Sequence, residues 1–456
     1  MSKHAWIVLT IMIMAVGLVV LSERVEAETV ESQEIIISEE NFGKAKSDFA
    51  TDMYSIAEKA DVNKDGKLSE EEINAVTKIM VQVLPEIDDI DSDTLEGKEY
   101  PVFTKDDFKF DFKGIEYFRE VKEVAIYQAF GDELADNSQG EEIKGYDSVI
   151  VNFDNLYQLE KLEKLSLSEA DVSEIDFSKF ESLKKVSLHN LYNLETLKVQ
   201  KGSAISNIWL DSCDKLKNIN VAKKNTSLKT LTLKNLKKYK SFNFKSKSLK
   251  NLYIEDLPKI KNINFKVNPK LQRVDVTNIS DLKKIDVSSL KKLKILNLIK
   301  LKNVNTVKFS KTQRLEDIYF ENLPKVTELK CPLNKCTMLR LYRTGIKKVD
   351  FKKAKNLKYL HLVNNKIKSV DMSKSKNINS ITFSSKHLKK LVLAKGNKLE
   401  WLEWTNAGLK KFDIKNFNYK SIFSLNLKGN KLKKINVKKS KNLQYLYVDK
   451  NVKVVK

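Results

Sequence analysis

Residues 282–298 read LKKIDVSSLKKLKILNL and contain one phrase twice, L-x-x-L-x-L with other apolar residues in place of some leucines. The first copy begins at Leu282 and the second at Leu293. Within each copy the last three residues alternate apolar, variable and apolar, which is the period-two pattern of a strand with one buried face. The phrase recurs from about Leu162 to Val448, so the chain repeats one strand-forming unit many times.

Two phrases together form a repeat of about 21 to 23 residues, within the range of roughly 20–29 residues that leucine-rich repeats show. One coil of this size buries too little apolar surface to be stable alone, so coils must stack on one another. The pattern predicts a leucine-rich-repeat solenoid that is rich in parallel strands, with two phrases in each of about thirteen coils, over residues 111–456.

The charge of the chain is divided between two parts. The whole chain has 83 Lys and Arg against 60 Asp and Glu, a formal net charge of +23. Residues 28–150 hold 13 basic and 32 acidic residues, whereas residues 151–456 hold 68 basic and 26 acidic ones. With 13 glycines and 6 prolines, the chain is neither linker nor collagen-like material. An acidic N-terminal part thus precedes a very basic repeat array.

Residues 1–27 have the pattern of a secretory signal. Lys3 and His4 form a short basic start, an apolar stretch runs from Ile7 to Leu21, and small residues around Ala27 form a cleavage site. The alternative is a retained membrane anchor, but the apolar stretch is shorter than the roughly 20 residues that span a bilayer. No later stretch of the sequence could cross a membrane. We therefore predict a mature chain that is secreted or displayed at the cell surface.

Residues 61–72, DVNKDGKLSEEE, match the calcium-loop pattern D-x-[DN]-x-D-G-x5-E. Calcium takes about 6–8 oxygen ligands, so short carboxylate and amide side chains alternate inward and a bidentate glutamate closes the shell. Gly66 allows the sharp turn at the sixth position. We predict a calcium ion held by six positions of this loop, with Lys67 contributing its backbone carbonyl: Asp61, Asn63, Asp65, Lys67, Ser69 and Glu72.

The loop is expected to lie between two helices of a small α-helical EF-hand cap, residues 28–110. Apolar residues at helical spacing support the first helix around Met53 and Ile56. The second helix is predicted from the same spacing at Ile73, Val76, Ile79 and Met80.

The alternative is a helix–loop–helix cap that rarely holds a metal. The acidic run from Asp88 to Asp93 has no glycine at the turn and has Tyr100 where a closing glutamate belongs. A dockerin needs two complete loops, so that class is disfavoured.

Cysteine use excludes a disulfide framework, because the chain has three cysteines at scattered positions. Cys331 and Cys336 occupy apolar positions of the repeat, which predicts buried thiols, and a local bridge between the two is the alternative. The sequence shows no zinc-site spacing, no phosphate-binding glycine loop and no nucleophile–base pattern. We therefore expect a protein that is not an enzyme.

The central residue of each first-series phrase should point away from the core. Aromatic and arginine side chains recur there and at neighbouring outward positions, and these residue types are enriched at binding hot spots. Cross-strand stabilisation of the sheet is the alternative. The asparagines that follow these strands place this face on the concave side. The predicted partner-binding residues are Trp209, Tyr253, Tyr319, Arg340, Tyr342, Tyr359, His361, Trp401 and Tyr447.

The order of signal sequence, single EF-hand and leucine-rich coils resembles secreted, internalin-like leucine-rich-repeat proteins of Gram-positive bacteria. The motifs that carry the resemblance are DVNKDGKLSEEE, GIEYF at 114–118, KKIDVSSLKKLKILNL and KSVDMSKSKNINSITF. The chain departs from that pattern in its lysine content and in having no L-P-x-T-G sorting signal. The resemblance implies an extracellular binding or adhesion role, with a protein or glycan at the cell surface as the partner.

Two other functions remain open because lysine supplies nearly all of the positive charge. Lysine keeps repeat arrays soluble and blunts sheet edges, but it also attracts anionic polymers such as teichoic acid or sulfated glycan. A polycationic adhesin is therefore one alternative, and a structural envelope protein without a specific ligand is another. The signal sequence argues against intracellular nucleic acid as a partner.

Overall fold

The computed structural model describes residues 34–45, 51–83, 109–128, 149–199, 204–221, 227–240, 242, 245–311, 314–414, 417 and 419–456. The predicted signal sequence, the acidic run 88–93 and residues 129–148 lie outside the described residues. The chain is a parallel β-solenoid in two compact units, residues 1–222 and 223–456. The predicted fold class is confirmed. No helix in the described ranges is long and apolar enough to cross a membrane.

Two short helices flank the predicted calcium loop. Helix α1, Met53–Ala60, begins after Asp52, whose side chain accepts the N–H of Ser55 in a reciprocal capping box. Helix α2, Glu70–Ala75, begins after Ser69, which forms the same kind of box with Glu72. Each box satisfies two N–H groups that would otherwise lack a partner at the helix start.

The second helix is shorter than predicted, because Ile79 and Met80 lie in a strand. That strand, Lys78–Val83, pairs in parallel with Glu123–Gln128. Its buried residues alternate, so the local period is two and not 3.6. A six-residue apolar run fits both periods, and pairing with the first coil decides between them. The range predicted as the cap therefore contributes a strand to the solenoid sheet.

First-series phrases form the strands of a parallel sheet within each unit, which we call the main sheet. In the first unit these strands are Lys78–Val83, Glu123–Gln128, Lys164–Ser168, Lys185–His189 and Asn207–Asp211. In the second unit they are Thr230–Lys234, Asn251–Glu255, Arg273–Thr277, Ile295–Ile299, Asp317–Glu321, Met338–Tyr342, Tyr359–Val363, Ser380–Ser384, Trp401–Thr405, Ser424–Asn426 and Tyr445–Tyr447.

Within each unit, neighbouring main-sheet strands pair in parallel without a register shift. Ile318, for example, pairs with Leu339, and Leu339 pairs with Leu360. All three are buried, so equivalent apolar side chains stack in columns through the core. This stacking is what a repeat needs when one coil cannot bury its own apolar face.

Second-series phrases form shorter parallel strands on a second face. In the first unit these are Glu174–Asp176, Thr196–Val199 and Asn218–Val221, beside a separate pair, Lys109–Asp111 with Val149–Val151. In the second unit the pairs are Lys284–Asp286 with Thr306–Lys308, Glu328–Leu329 with Lys348–Val349, Ser369–Met372 with Lys390–Leu393, and Lys434–Asn436 with Lys453–Val455.

Short 3-10 turns replace or follow several of these strands: Ile115–Tyr117, Phe153–Gln158, Phe177–Lys179, Phe265–Val267, Leu333–Lys335 and Phe351–Lys353.

The Asp and Asn residues on the second face have a local structural role. Asp286 Oδ1 accepts the N–H of Ser288 at 3.2 Å, and Asp371 Oδ1 accepts the N–H of Ser373 at 3.1 Å. Asn436 does the same for the residue two places on. These are Asx turns, which fix the corner where the chain leaves the strand.

The residue after most main-sheet strands adopts left-handed backbone geometry, which asparagine tolerates better than most residues. Its N–H can donate to the strand end of the next coil, as from Asn278 to the Ile299 carbonyl oxygen at 2.9 Å. The left-handed residues at these corners are Glu169, Asn190, Ser212, Asn235, Asp256, Asn278, Lys300, Asn322, Arg343, Asn364 and Asn406. Asparagine at these corners thus serves to adopt the left-handed backbone geometry that the turn requires.

All three cysteines are free and buried, which confirms the predicted buried thiols. Burial raises the pKa of Cys213 and of Cys336 to about 12, so both are neutral thiols at physiological pH.

The side chain of Asn430 links two coils through four hydrogen bonds. Its Oδ1 accepts the N–H groups of Ala407 and Leu409, both at 3.1 Å, and its Nδ2 donates to the carbonyl oxygens of Trp404 and Leu427. We expect Asn430→Ala to lower the free energy of unfolding by about 2–3 kcal/mol, because partly buried backbone groups lose their partners. Chemical denaturation measures this, with faster amide hydrogen exchange at Ala407 and Leu409.

The matched control is Asn442→Ala, because Asn442 is exposed and its Nδ2 donates only to the Lys420 carbonyl oxygen. We expect a loss of under about 1 kcal/mol there. Equal losses in the two variants would contradict the role given to Asn430.

Candidate functional site

The loop of residues 61–72 is held by its own acidic side chains. Asp61 Oδ1 accepts the N–H of Lys64 at 2.7 Å, and its Oδ2 accepts that of Gly66 at 2.9 Å. Asp65 Oδ1 accepts the N–H of Lys67 at 2.8 Å. Gly66 has φ +78°, the left-handed geometry that glycine adopts without strain. The loop therefore has the predicted turn and inward-facing oxygens.

Glu72 closes the loop from the start of α2. Its Oε1 accepts the N–H of Val62 at 2.8 Å, and its Oε2 accepts the hydroxyl of Ser69 at 2.8 Å. Burial alone would raise the pKa of Glu72, but the hydrogen bonds from Ser69, Val62 and Asn63 outweigh it and hold that pKa below its ordinary value. Glu72 is thus an anion fixed across both ends of the loop.

A short strand covers the loop. Ile35–Ile36 pairs antiparallel with Lys67–Leu68. The ammonium group of Lys67 lies 2.7 Å from Glu34 Oε2, so only the backbone carbonyl of Lys67 is available to an ion. The donor set is hard oxygen throughout, which fits calcium. Within the described ranges, however, no three His, Cys, Asp or Glu side chains lie close enough together to hold a metal in this arrangement.

The main sheet brings together four of the predicted partner-binding residues. The Arg340 guanidinium lies 4.7 Å from the centroid of the Tyr319 ring. Tyr342 meets Tyr319 edge-on at 5.8 Å between ring centroids and lies 6.3 Å from His361. Tyr319, Arg340 and His361 occupy paired positions on three adjacent strands. We call these four residues, with their acidic partners Asp317 and Glu321, the Tyr319 cluster.

Acidic side chains fix the geometry of the Tyr319 cluster. Arg340 Nη2 donates to both oxygens of Asp317, at 3.1 and 3.0 Å. The Tyr319 hydroxyl donates to Glu321, which also pairs with Arg343. Burial, followed by the bond to Glu321, raises the pKa of Tyr319 to about 12. The phenol is therefore a neutral donor at physiological pH.

Two buried polar atoms beside Tyr319 lack a hydrogen-bond partner within the described part of the chain. They are Asn297 Oδ1 and Arg340 Nε, on the strands that flank Tyr319. Asn297 is 9% exposed although its position faces away from the leucine core. Unpaired buried polar atoms cost free energy. Part of this cost therefore falls on the two strands that flank Tyr319.

A second group of aromatic side chains lies at the C-terminal end. Tyr359, Trp401 and Tyr445 fall in one column of the main sheet. The ring of Phe423 lies 5.3 Å from those of both Trp401 and Tyr445. Trp401 is 44% and Tyr445 49% exposed, so this aromatic ridge presents its rings to solvent.

The remaining predicted residues lie apart from these groups. Trp209, 47% exposed, contacts His189 at 4.9 Å between ring centroids and belongs to the first unit. In the second unit, Tyr253 contacts Arg273. Tyr447 lies at the end of the central column, 5.8 Å from the Lys428 ammonium. The predicted site is therefore several local groups.

Sequence reasoning missed Glu321 and Phe423. Glu321 is the third outward residue of its strand, and the same period-two pattern could have identified it. Phe423 precedes its strand, where the phrase assigns no direction, so no sequence signal placed it between Trp401 and Tyr445.

No protein-family model and no curated protein matches the chain. Among solved structures it is similar to the functional domain of InlJ from Listeria monocytogenes, with 17% identity over 89% of this chain and 78% of that one and a TM-score of 0.47. Internalin InlF from the same species has 14% identity over 92% and 98%, with a TM-score of 0.41.

The leucine-rich-repeat protein LIC12759 of Leptospira interrogans has 18% identity over 72% of this chain and 86% of that one, with a TM-score of 0.42. Likenesses at these identities concern the fold alone. The repeat and the sheet register define the class of this protein, a leucine-rich-repeat solenoid.

We expect His361 to make stability depend on pH. Burial, and then the charge of Arg340, lower the pKa of His361 below its ordinary value of 6.5. As pH falls through about 6.5 the unfolded chain binds a proton first, so the free energy of unfolding decreases. That decrease ends once pH passes the lower pKa of the folded state. Denaturation between pH 7.5 and 5 measures it, and His361→Gln should reduce the dependence.

The matched variant is His387→Gln, which removes a histidine from the same unit but leaves the Tyr319 cluster intact. It should keep the part of the pH dependence that His361 causes. An unchanged profile in His361→Gln would contradict the assignment.

Proposed function

We propose that this chain is a secreted or cell-surface leucine-rich-repeat protein that binds a macromolecular partner on the outer face of its main sheet. The observation that carries the proposal is the Tyr319 cluster. Its aromatic and arginine side chains are held in place before any partner arrives, which lowers the entropy lost on binding. Hot spots are enriched in these residue types.

The unpaired atoms beside Tyr319 support the same site. A partner that supplies a donor to Asn297 and an acceptor to Arg340 would remove the free-energy cost of both unpaired atoms. The aromatic ridge of Trp401, Phe423 and Tyr445 offers a second apolar contact area on the same sheet. We propose a protein or glycan of the cell surface as the partner and the concave side as the location of this face.

A binding panel of surface proteins, glycans and envelope polymers tests the proposal. For a partner found in this way, Tyr319→Ala with Arg340→Ala should weaken binding by at least about 30-fold, since hot-spot residues each contribute about 2 kcal/mol or more. Binding should survive at about 0.5 M salt, because the charges of the cluster are already paired inside the protein. Calorimetry at low and high salt measures both effects.

The matched control is Arg314→Ala with Tyr419→Ala, which removes the same residue types outside the Tyr319 cluster. Arg340→Lys separates charge from geometry, because lysine keeps the charge and loses the planar fork. Equal weakening in the control and in the cluster variant would refute the proposed site.

We also propose that the loop of residues 61–72 binds calcium, which would neutralise its acidic side chains. Because its carboxylates are not grouped for chelation in this arrangement, binding requires Asp65 and Glu72 to turn toward Asp61. Such reorganisation places the loop in the weak class, with dissociation constants on the order of 10⁻⁴–10⁻³ M. We infer a structural role, because α2 leads directly into the first strand of the main sheet.

We expect 10 mM calcium to stabilise the full chain by about 1.4 kcal/mol if the dissociation constant is about 1 mM. Glu72→Gln should abolish this gain, whereas Glu71→Gln, next to it on α2, should retain it. Thermal unfolding with calcium, magnesium or chelator measures the gain. A calcium effect that persists in Glu72→Gln would place the ion elsewhere.

A polycationic adhesin is the second candidate, supported by the excess of 68 basic over 26 acidic residues in 151–456. Binding of that kind would weaken steeply with salt and would not respond to the Tyr319 and Arg340 variants. A panel without any specific binder would instead favour a structural role in the envelope.

A further inference from the structure

The second face carries a concave, lysine-rich surface that the proposed partner site does not use. A cavity of about 820 Å³ there is lined by five lysines: Lys311, Lys330, Lys347, Lys348 and Lys353. Each of these side chains is exposed, and Ser310, Asn334 and Ser369 add polar groups to the lining. We call this surface the lysine basin.

The basin lies where the strand pairing of the second face is interrupted. Thr306–Lys308 pairs with the preceding coil, and Glu328–Leu329 pairs with the following one. These two strands do not pair with each other, although both are fully described. Pro332, which lacks an N–H, follows the second strand and lines the cavity. The depression thus lies at one of the gaps between the two-stranded pairs of the second face.

The basin is lined by more lysines than acidic residues. Lys330 Nζ lies 3.1 Å from Glu328, and Lys353 Nζ lies 3.4 Å from Asp350. No carboxylate in the described ranges lies within ion-pairing distance of Lys311, Lys347 or Lys348. Three lysines from two coils that flank the coil of Glu328–Leu329 therefore line one depression, and in the described ranges none of the three forms an ion pair with a carboxylate. Like charges that line one depression repel, and an anion would relieve the repulsion.

We propose that the lysine basin binds a polyol-phosphate polymer through its phosphodiester groups. Lysine ammonium groups bind phosphate as point charges and do not require the planar geometry of arginine. Serine and asparagine side chains can hydrogen-bond the hydroxyl groups of a polyol. The volume of the cavity is within the range of ligand sites, roughly 300–1,000 Å³. Several phosphates of a flexible chain can thus occupy it together.

The lining disfavours nucleic acid and sugar polymers. Binding of single-stranded nucleic acid depends on aromatic side chains on which successive bases stack. Phe309 is the one aromatic residue in the basin, and no arginine lines it. Flat sugar rings would likewise have a single aromatic ring, that of Phe309, to contact. A polymer of charges and small hydroxyl-bearing units matches the basin better.

The test is binding of a defined-length poly(glycerol phosphate) to the full chain by calorimetry at several salt concentrations. The basin variant carries Lys311→Gln, Lys347→Gln and Lys348→Gln. We expect its affinity to fall at least about 10-fold and its salt slope to decrease by about 2, as for loss of three phosphate contacts to a single strand. The variant should fold, because all three side chains are exposed, and its unfolding midpoint checks this.

The control variant carries Lys433→Gln, Lys438→Gln and Lys441→Gln, three exposed lysines of the same unit outside the basin. It has the same net charge as the basin variant and should lose less than about 2-fold in affinity. An equal loss in both variants would overturn the proposal, because charge alone would then bind the polymer.

Tighter binding of oligothymidylate or of a heparin fragment of equal charge would also overturn the proposal, as would no binding of poly(glycerol phosphate) by the unaltered chain. The Tyr319 and Arg340 variants should not affect this binding, so failure here leaves the main-sheet proposal intact.

Discussion

The parallel register between successive coils is the constraint on which the rest of the structure depends. Each main-sheet strand pairs with the next without a shift, so apolar residues such as Ile318, Leu339 and Leu360 form continuous buried columns. A shift of one residue would move every apolar side chain to the outer face. The same alternation fixes the outer face, where Tyr319, Arg340 and His361 become neighbours although they are far apart in sequence.

The corners between strands maintain that register. A left-handed residue after most main-sheet strands turns the chain, and its N–H donates to the next coil, as at Asn278. At another corner a partly buried side chain joins two coils, as Asn430 does with four backbone partners. On the second face, where Asx turns bound shorter strands, the pairing between coils is less complete, and the lysine basin opens in one such gap.

The sequence predicted the elements that depend on period. The strand phrases, the outward positions and the buried cysteines follow from apolar alternation alone. It did not predict the strand Lys78–Val83, because six residues fit a helical and a strand period equally well and a partner from another part of the chain decides. Nor could it predict the bond between Arg340 and Asp317, which depends on the rotamers of two side chains on adjacent strands. The position of the lysine basin could not be predicted either, because it depends on which neighbouring second-series strands fail to pair.

The two candidate surfaces differ in how their charges are compensated. In the Tyr319 cluster, Arg340 is paired with Asp317, and Arg343 with Glu321. Its charges mainly orient rings and donors, so a partner gains little from long-range attraction and must fit the surface. In the basin, Lys311, Lys347 and Lys348 have no such ion pair with any described residue, so their attraction for an anion would act at a distance and weaken with salt. One repeat can therefore support a shape-specific face and a charge-driven one, because the two phrases of each coil face different sides and vary independently.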